Sequence, residues 1–581
     1  MVAPEIEAQV CSAAGAILFR DPGHRLIPIL KEKALHLLQM RLQPNLSQNL
    51  GDFLLGYVLW TGDVSFGRQI ILEVDHQIAT SPIIPIYEVL WNVMKMVFLG
   101  VITVETKEAL LCHDRAAKMI DELGLSFLFS MVHGNAAFIM LLIGDVARAA
   151  ETMATMEKVV PRHQLMDVSF RLHLKACLAN ARGNWSEAEK YANEAIEVAE
   201  NCGVETPVNL IKLGLGHAYI GQEKYEIAKQ CFEWSIALGD KIQSPFFKHH
   251  GLVGLALVSL AQGNRFEAKI QVEKALQFGR EQGYFSIHPW IPARASRLLA
   301  FALEENIEPD YARMFIKRRG LLPPMPNALN WPLPIRLSTL GHFAIELDGE
   351  PIAFGRKTPK KDLALLKLLI SAGNKGLSES RIGDDLWRDA DGDRAANSLK
   401  QTLHRLRGLL QDHEAIESND GLLKLNPNKI WIDAWAFEAN ASSNPPLNGD
   451  SAEIRRYGHR LLESYPGNFL PEDSDLPFLV SARERLRATF VRQISTIAEH
   501  LIDASSIEDS VDLFRKAVEI DPLVEGFHQG LMRCFLKLNR VADGIAVYER
   551  LRRLLIGHWK TEPSATSRAL FEKLHAATPP T

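Results

Sequence analysis

The sequence predicts a mainly α-helical protein of 581 residues in which a small α+β region separates two helical regions. Residues 1–320 show almost no strand alternation and contain a helical motif that recurs. Residues 335–433 first alternate apolar and polar side chains with a period of two, and then change to helical periodicity. Residues 434–578 are helical again. The segment 321–334 contains five prolines, which favour an extended linker between the first two regions.

The first helical region contains a repeat with a spacing of 40 residues, from Gly183 to Glu223 and from Glu223 to Gly263. Gly183-Asn-Trp-Ser-Glu-Ala188 recurs as Gly263-Asn-Arg-Phe-Glu-Ala268, and Tyr225-Glu-Ile-Ala228 lies in the same register between them. Glycine permits the turn between antiparallel helices, the aromatic residue fills the gap between neighbours, and alanine allows close approach. The motif resembles tetratricopeptide repeats, although its period is longer than theirs, and predicts a tetratricopeptide-like helical solenoid over 1–320.

A solenoid of this kind presents a concave surface, so we expect the repeats to bind a partner or an effector; a pure scaffold is the alternative. The pair His249-His250 is predicted to be solvated and not a metal site. The aromatic side chains of the repeats are predicted to pack between helices: Trp185, Tyr191, Tyr219, Tyr225 and Trp234.

Cysteine spacing and motifs argue against several classes of protein. The six cysteines lie far apart and form neither a C-x-x-C pair nor a Cys/His cluster, so the sequence predicts no metal site and a reducing, cytoplasmic location. The start of the chain lacks the pattern of a signal peptide. The apolar segment 126–144 is interrupted by His133-Gly134-Asn135 and is predicted to be a pair of buried helices, not a membrane span. Without a phosphate loop or a catalytic motif, we expect neither an enzyme nor a cofactor.

The middle region is predicted to contain strands, three helices and a hairpin, in that order. The strands are 335–339, 343–347 and 351–354, and the helices are 359–372, 378–387 and 393–410. An Asp420-Gly421 turn joins the hairpin 416–425, and a further strand at 430–433 closes the region. This order is that of a winged helix-turn-helix.

The third helix, Asp393–Leu410, is the candidate DNA-binding element. From Arg394 to Leu410 it has four positive side chains and no carboxylate, although the formal net charge of the chain is −5. At about 100° per residue, Leu399, Leu403, Leu406 and Leu410 face the core, and Asp393 is placed to cap the helix. The side chains of the opposite face and its margins can bond base edges and phosphates: Arg394, Asn397, Ser398, Lys400, Gln401, His404 and Arg405.

The charges of the middle region are predicted to be polarised. The first helix and the residues before it carry a net +4, from Arg356, Lys357, Lys360, Lys361 and Lys367 against Asp362. The acidic residues are concentrated in the second helix and in the loop after it: Glu379, Asp384, Asp385, Asp389, Asp391 and Asp393. A basic surface of this kind would attract the phosphates of DNA.

Three stretches of this region, 335–345, Leu386-Trp387 and 394–407, resemble the OmpR/PhoB-type DNA-binding domain in the version found in SARP-type bacterial activators. The resemblance implies that the third helix enters the major groove and that the wing, 416–432, reaches the adjacent minor groove or backbone. It also implies base or phosphate contacts by Arg394, Asn397, Ser398, Gln401, His404 and Arg405, and backbone contacts by Lys361 and Lys424.

The last region, 434–578, resembles the bacterial transcriptional activator domain through Tyr465-Pro-Gly-Asn-Phe-Leu-Pro471, Asp521-Pro522 and Glu562-Pro563. Phe514, Ala517 and Pro522 match the aromatic, small and terminating positions of a near-standard tetratricopeptide repeat. The sequence therefore predicts a second tetratricopeptide-like helical domain. The family implies that this domain supports activation through self-association or contacts with the transcription machinery.

The predicted function is that of a sequence-specific regulator of transcription, expected to be an activator, that binds double-stranded promoter DNA. Its other expected partners are RNA polymerase, a second copy of the chain, and a protein or small-molecule effector on the repeats; no membrane association is expected. The alternative is a tetratricopeptide-repeat adaptor whose winged helix serves protein–protein contacts. Target sequence, effector, the sign of regulation and membership of a longer regulator with an ATPase module stay open.

Overall fold

A computed structural model describes residues 3–79, 83–159, 164–203, 205–325, 328, 330–354, 359–388, 390–442, 451–473 and 475–577. The chain divides into two compact units, Met1–Leu322 and Pro323–Thr581. Three residues of the predicted charge pattern, Arg356, Lys357 and Asp389, lie outside the described residues.

The first unit is built from helices alone within its described part. They are α1 Pro4–Ala13, α2 Gly15–Arg20, α3 Ile27–Gln39, α4 Pro44–Thr61, α5 Val64–Ile78, α6 Pro85–Val97, α7 Thr106–Glu122, α8 Phe129–Ile143, α9 Val146–Val159, α10 Leu165–Arg182, α11 Trp185–Asn201, α12 Glu205–Gly221, α13 Tyr225–Lys241, α14 Pro245–Ala261, α15 Arg265–Gln282, α16 Pro292–Glu304 and α17 Pro309–Arg319. From α10 to α15 each helix packs against the next one in the chain, which confirms the predicted solenoid.

The 40-residue repeat has the predicted turn geometry. Gly183, Glu223 and Gly263 have φ angles of 76°, 61° and 73°, so all three lie in the left-handed region. Close helix approach depends on other glycines as well: a Cβ on Gly254 would lie 2.1 Å from the ring of Phe232. The repeat alanines Ala188, Ala228 and Ala268 are buried, as predicted.

Two predictions about side chains in the repeats are wrong. Phe266 does not fill a gap between helices, because 76% of it is exposed. His249 and His250 are not solvated but almost fully buried, with 1% and 2% exposed. The reason is that α14 is apolar on nearly every side and lies in the interior of the unit, so both imidazoles are enclosed. Trp234 is 44% exposed and has Lys212 Nζ 3.8 Å from its ring centre.

The apolar segment 126–144 forms a short 3-10 turn, Ser126–Leu128, followed by one uninterrupted helix, α8. The predicted pair of helices is therefore wrong; Gly134 does not break α8 but allows close packing against Phe170. Two segments, Pro85–Ile102 and Ser126–Ile143, are long and apolar enough to cross a membrane, with mean hydropathies of 1.4 and 1.8. Since 56% and 61% of these segments are buried, they also fit the description of core helices.

The second unit begins with the predicted α+β region. Its strands are β1 Ile335–Ser338, β2 Ala344–Leu347, β3 Glu350–Pro351, β4 Leu377–Ser378, β5 Ile416–Asn419, β6 Leu422–Leu425 and β7 Ile430–Ile432, and its helices are α18 Lys360–Ala372, α19 Glu379–Leu386 and α20 Gly392–Leu410. One sheet has the order β3-β2-β1-β7 and the other β4-β6-β5. Asp420 and Gly421 both have positive φ, 49° and 73°, as a two-residue hairpin turn of type I′ requires. The winged helix-turn-helix is thus confirmed.

The remaining helices are α21 Asp433–Ser442, α22 Ser451–Glu463, α23 Val480–Asp503, α24 Ile507–Ile520, α25 Glu525–Lys537, α26 Val541–Trp559 and α27 Ala565–Ala576. Phe514 and Ala517 are fully buried, and a Cβ on Gly530 would lie 2.4 Å from the Phe514 ring. Tyr548 stacks on Phe571 with 4.1 Å between the ring centres. The burial of Phe514 and Ala517 agrees with their predicted places in a tetratricopeptide-like repeat.

The winged helix and the helical region that follows it share one hydrophobic core, which extends from Ile335 to Phe535. The carboxylate of Asp433, at the start of α21, accepts hydrogen bonds from the backbone amides of Thr339 and Leu340 at 2.8 and 2.9 Å. Trp435 Nε1 donates to the carbonyl of Ile370 in α18 at 2.9 Å. The second unit therefore positions α20 as part of one body.

Candidate nucleic-acid interface

Helix α20 is held against α18 and α19 by its apolar face. Leu399, Leu406 and Leu410 are buried and Leu403 is half-buried, as the helical periodicity predicts. Because α18 and α19 cover this face, the opposite face of α20 points to solvent.

The helix begins one residue earlier than predicted, and Asp391 caps it in place of Asp393. Asp391 has extended backbone angles, φ −65° and ψ 161°, and its carboxylate accepts a hydrogen bond from the Arg394 amide at 2.9 Å. Asp393 lies in the first turn of the helix and is not the capping residue. Its negative charge still complements the positive end of the helix dipole.

The outward face of α20 is open to a ligand. Four side chains are exposed and make no hydrogen bond or ion pair with any other described residue: those of Asn397, Lys400, Gln401 and His404. Ser398 is half-buried. The Arg394 side chain is 83% exposed and reaches only Asp391, with 3.5 Å between Nε and Oδ2. Two amides, an imidazole, an ammonium and a guanidinium thus lie along one exposed face, and the carboxylates of this helix are confined to its start, at Asp391 and Asp393.

Arg405 lies on the same side but its guanidinium is engaged. Nε lies 3.1 Å from both carboxylate oxygens of Asp362, and Nη2 lies 2.9 Å from Oδ1. The hydrogen bond and the charge of Asp362 raise the pKa of Arg405. Since Asp362 is buried in α18 and needs a cationic partner, this pair fixes α20 on α18. The guanidinium that was expected to contact a base or a phosphate is thus paired within the protein in this arrangement.

Other cations of the predicted basic surface are engaged as well. Lys361 Nζ donates to the Leu386 carbonyl at 2.6 Å, and Lys424 Nζ pairs across the wing with Glu417 at 2.9 Å. Lys367 Nζ contacts Asp473 at 2.6 Å, where both side chains are largely buried. Arg407 Nη2 donates to the carbonyl of Ile416 at 2.7 Å and ties α20 to the wing. The exposed positive charge is therefore smaller than the sequence predicts.

The structure brings Arg394, Asn397, Gln401 and His404 onto one face, and places Lys361 on α18 and Lys424 on β6 of the same domain.

The sequence analysis does not predict the role of Asp362. Its position four residues before Leu366, on the apolar face of α18, was the available signal, because a carboxylate on a buried face requires a partner.

The first unit contains a cavity of about 470 Å³, within the size range of small-molecule pockets. Apolar side chains of α4, α6, α8, α10, α12 and α14 line most of it. Ser130 Oγ, on this lining, is buried and has no hydrogen-bond partner among the described residues. The polar side chains on the lining are Ser130, Asn135, Asp167, Ser169 and His173.

Comparisons with known proteins agree with this architecture. Residues 432–575 match the bacterial transcriptional activator domain. Regulatory protein AfsR of Streptomyces coelicolor is 24% identical over 247 residues, which are 42% of this chain and 24% of AfsR. Transcriptional regulatory protein MoaR1 of Mycobacterium bovis is 21% identical over 249 residues, 41% of this chain and 79% of MoaR1. The matched part of the chain spans about a quarter of the length of AfsR.

Among solved structures, EmbR of Mycobacterium tuberculosis in complex with a low-affinity phosphopeptide matches with a TM-score of 0.34 and 21% identity, over 43% of this chain and 67% of EmbR. The activator-domain match and the two regulators support the family that the sequence motifs indicate. The chain resembles the SARP-type bacterial transcriptional regulators, with tetratricopeptide-like helical repeats ahead of a winged helix and a bacterial transcriptional activator domain.

Proposed function

We propose that this chain is a transcription regulator that binds double-stranded DNA sequence-specifically, with α20 in the major groove. The observation that carries the proposal is the outward face of α20, where the side chains of Asn397, Gln401 and His404 are exposed and make no hydrogen bond or ion pair with the described residues. The side-chain amides of Asn and Gln match the donor and acceptor pair of adenine, and imidazole can bond either purine edge. The type I′ wing at Asp420-Gly421 would lie against the adjacent backbone or minor groove.

The contacts divide into two kinds by their chemistry. Asn397, Gln401 and His404 are proposed to read base edges, whereas Lys400 and Arg394 are proposed to contact phosphates and set the register. Arg405 is proposed to orient α20 through Asp362, so its contribution to binding is indirect. Lys361 and Lys424 can contact the backbone only if they leave their present partners or share them.

We further propose that the chain activates transcription at promoters in the cytoplasm of a bacterium. The match of residues 432–575 to the bacterial transcriptional activator domain supports activation, through RNA polymerase or a second copy of the chain. The cavity in the first unit, with its size and the unpaired Ser130 hydroxyl, supports the binding of an effector by the repeats.

Selection of bound duplexes from a random pool by the full chain tests the DNA-binding proposal. Enrichment of one motif, lost in the variant Asn397→Ala/Gln401→Ala/His404→Ala, is expected. Arg492→Ala is the matched control, because Arg492 is an exposed residue of α23 within the same unit. Enrichment that survives in the triple variant would place the interface elsewhere.

If the chain is instead an adaptor, the same selection experiment should give the opposite result. An adaptor that uses the winged helix for protein contacts would enrich no motif and would bind duplex DNA no better than the triple variant does. One observation supports this second candidate. Four basic side chains of the domain are bound to partners within the protein and not free for DNA: Lys361, Lys367, Arg405 and Lys424.

A further inference from the structure

Two histidines and a cysteine converge in the interior of the first unit. His173 and Cys177 lie one turn apart on α10, and His288 lies between α15 and α16. One possible ligand atom from each lies within 4.8 Å of the other two. Cys177 Sγ is 3.7 Å from His173 Nε2, near the ~3.5 Å between sulfur and nitrogen ligands on a tetrahedral ion with bonds of ~2.3 and ~2.0 Å.

The hydrogen bonding of His288 is that of a metal ligand. Its Nε2 lies 3.2 Å from the carbonyl of Leu210, so Nε2 carries the proton and Nδ1 keeps its lone pair. Nδ1 is buried and has no hydrogen-bond partner among the described residues. Metal-bound imidazoles are oriented in this way, with the second nitrogen donating to a backbone carbonyl.

Metal binding at this cluster releases a proton. A cysteine binds a metal ion as the thiolate, so an ion that bonds Cys177 Sγ displaces the thiol proton, and one proton leaves for each ion bound.

The surroundings provide a fourth position and an entry route. A void of about 10 Å³, enough for one water molecule, is lined by Cys177 and His288 together with apolar side chains. His173 also lines the 470 Å³ cavity, and the partly exposed Met166 lies on the same lining. An ion can thus reach the cluster through the cavity and keep a water ligand.

We propose that His173, Cys177 and His288 bind one late transition metal ion of soft or borderline character, Cu(I) or Zn(II). A thiolate with two imidazoles selects these ions over magnesium or calcium, which prefer oxygen ligands. Cu(I) with one thiolate has no net charge, which suits the apolar surroundings, while Zn(II) would take a water as fourth ligand. The site lies wholly in the first unit and does not depend on the proposed DNA binding.

The fold brings together a Cys/His cluster that the spacing in the sequence does not predict. His288 lies 111 residues after Cys177 in the sequence, so only the fold brings the two together. The local signal was the spacing of four between His173 and Cys177 on a helix, which puts both on one face.

Titration of the reduced, chelator-treated full chain with Co(II) tests the site. We expect one equivalent to produce a thiolate-to-cobalt charge-transfer band and the intense visible bands of a tetrahedral ion, both removed by added Zn(II). The variants Cys177→Ser and His288→Asn should lose the charge-transfer band, or bind on the order of 100-fold more weakly. Cys231→Ser and His36→Asn are the matched thiol and imidazole controls and should keep it.

Two further measurements make the outcome decisive. Competition with a chromophoric Cu(I) chelator under anaerobic conditions tells whether Cu(I) or Zn(II) is held more tightly. X-ray absorption at the metal edge of the unmodified protein should show one sulfur and at least two nitrogen ligands. Because this measurement uses no variant, it tests the site even if the substituted proteins fail to fold. Absence of a sulfur ligand, no bound ion under any of these conditions, or an unchanged band in Cys177→Ser would overturn the proposal.

Discussion

On the outward face of α20, Gln401 differs from Arg405 in a way that decides what each substitution does. The Gln401 side chain has no partner among the described residues, so Gln401→Ala should leave stability unchanged and weaken binding to the selected site by about 1–3 kcal/mol. Fluorescence anisotropy with the selected duplex and a scrambled duplex measures this loss. An equal loss on both duplexes for Gln401→Ala would contradict base reading.

Lys400 is proposed to contact a phosphate, so Lys400→Ala should weaken binding to all sequences alike and lower the salt slope by about 1. Anisotropy with the same two duplexes checks this expectation.

Arg405→Ala should act through the fold, because it leaves the buried carboxylate of Asp362 without its cation. We expect a lower denaturation midpoint and a loss of DNA affinity for all sequences. Asp362→Asn added to Arg405→Ala should restore part of the midpoint, since the uncompensated charge is then gone. A direct base contact by Arg405 would instead relax the sequence preference at one position while the midpoint stays unchanged.

At the scale of the element, the start of α20 has two aspartates with different roles: Asp391 is the N-cap, and Asp393, which the sequence predicts as the cap, lies in the first turn. Asp391→Ala removes the hydrogen bond to the Arg394 amide and should cost about 1 kcal/mol of unfolding free energy. Asp393→Ala removes only a favourable interaction with the helix dipole, so its cost should be smaller, about 0.3–1 kcal/mol. Urea denaturation of both variants measures the difference. A larger cost for Asp393→Ala would restore the capping role that the sequence predicts for it.

Two of the three glycines of helix α12, Gly214 and Gly216, lie in different surroundings. A Cβ on Gly216 would lie 2.7 Å from the ring of Phe232, whereas the nearest atom to a Cβ on Gly214 lies at 3.7 Å. Gly216→Ala should therefore destabilise the first unit by about 1–3 kcal/mol through overpacking. Gly214→Ala should stabilise it by up to about 1 kcal/mol, because alanine favours the helix. Thermal denaturation of the two variants distinguishes close packing from a general intolerance of this helix to substitution.

At the scale of the whole molecule, buried histidines make the stability of the metal-free protein depend on pH. Burial lowers the pKa of His249 to about 4 and holds the pKa values of His217 and His250 well below the usual 6.5. The unfolded chain binds more protons than the folded one below pH 6.5, so stability is full above 6.5 and falls as pH drops toward 4. The slope should reach roughly 1.4 kcal/mol per pH unit for each histidine. Denaturation with chelator at several pH values checks this; a flat profile would mean that these rings are charged or solvated.

The sequence predicts elements and faces better than it predicts pairings. The repeats, α18 to α20, the hairpin turn and the buried leucines of α20 follow from periodicity and turn residues, which are local. The pairs Arg405–Asp362 and Lys367–Asp473 depend on where separate elements cross, and the enclosure of His249 depends on helices that surround α14. Phe266 shows the same limit, since an aromatic residue at a repeat position packs only if a neighbouring helix covers it.

The central claim is that the outward face of α20 binds DNA, and the dependence of affinity on salt tests it most directly. The full chain and the variant Arg394→Ala/Lys400→Ala/Gln401→Ala should be titrated with the selected duplex at a series of salt concentrations. We expect steeply salt-dependent, sequence-selective binding by the wild type, and a slope reduced by about 2 with loss of selectivity in the variant. Identical curves for the two proteins would contradict the claim.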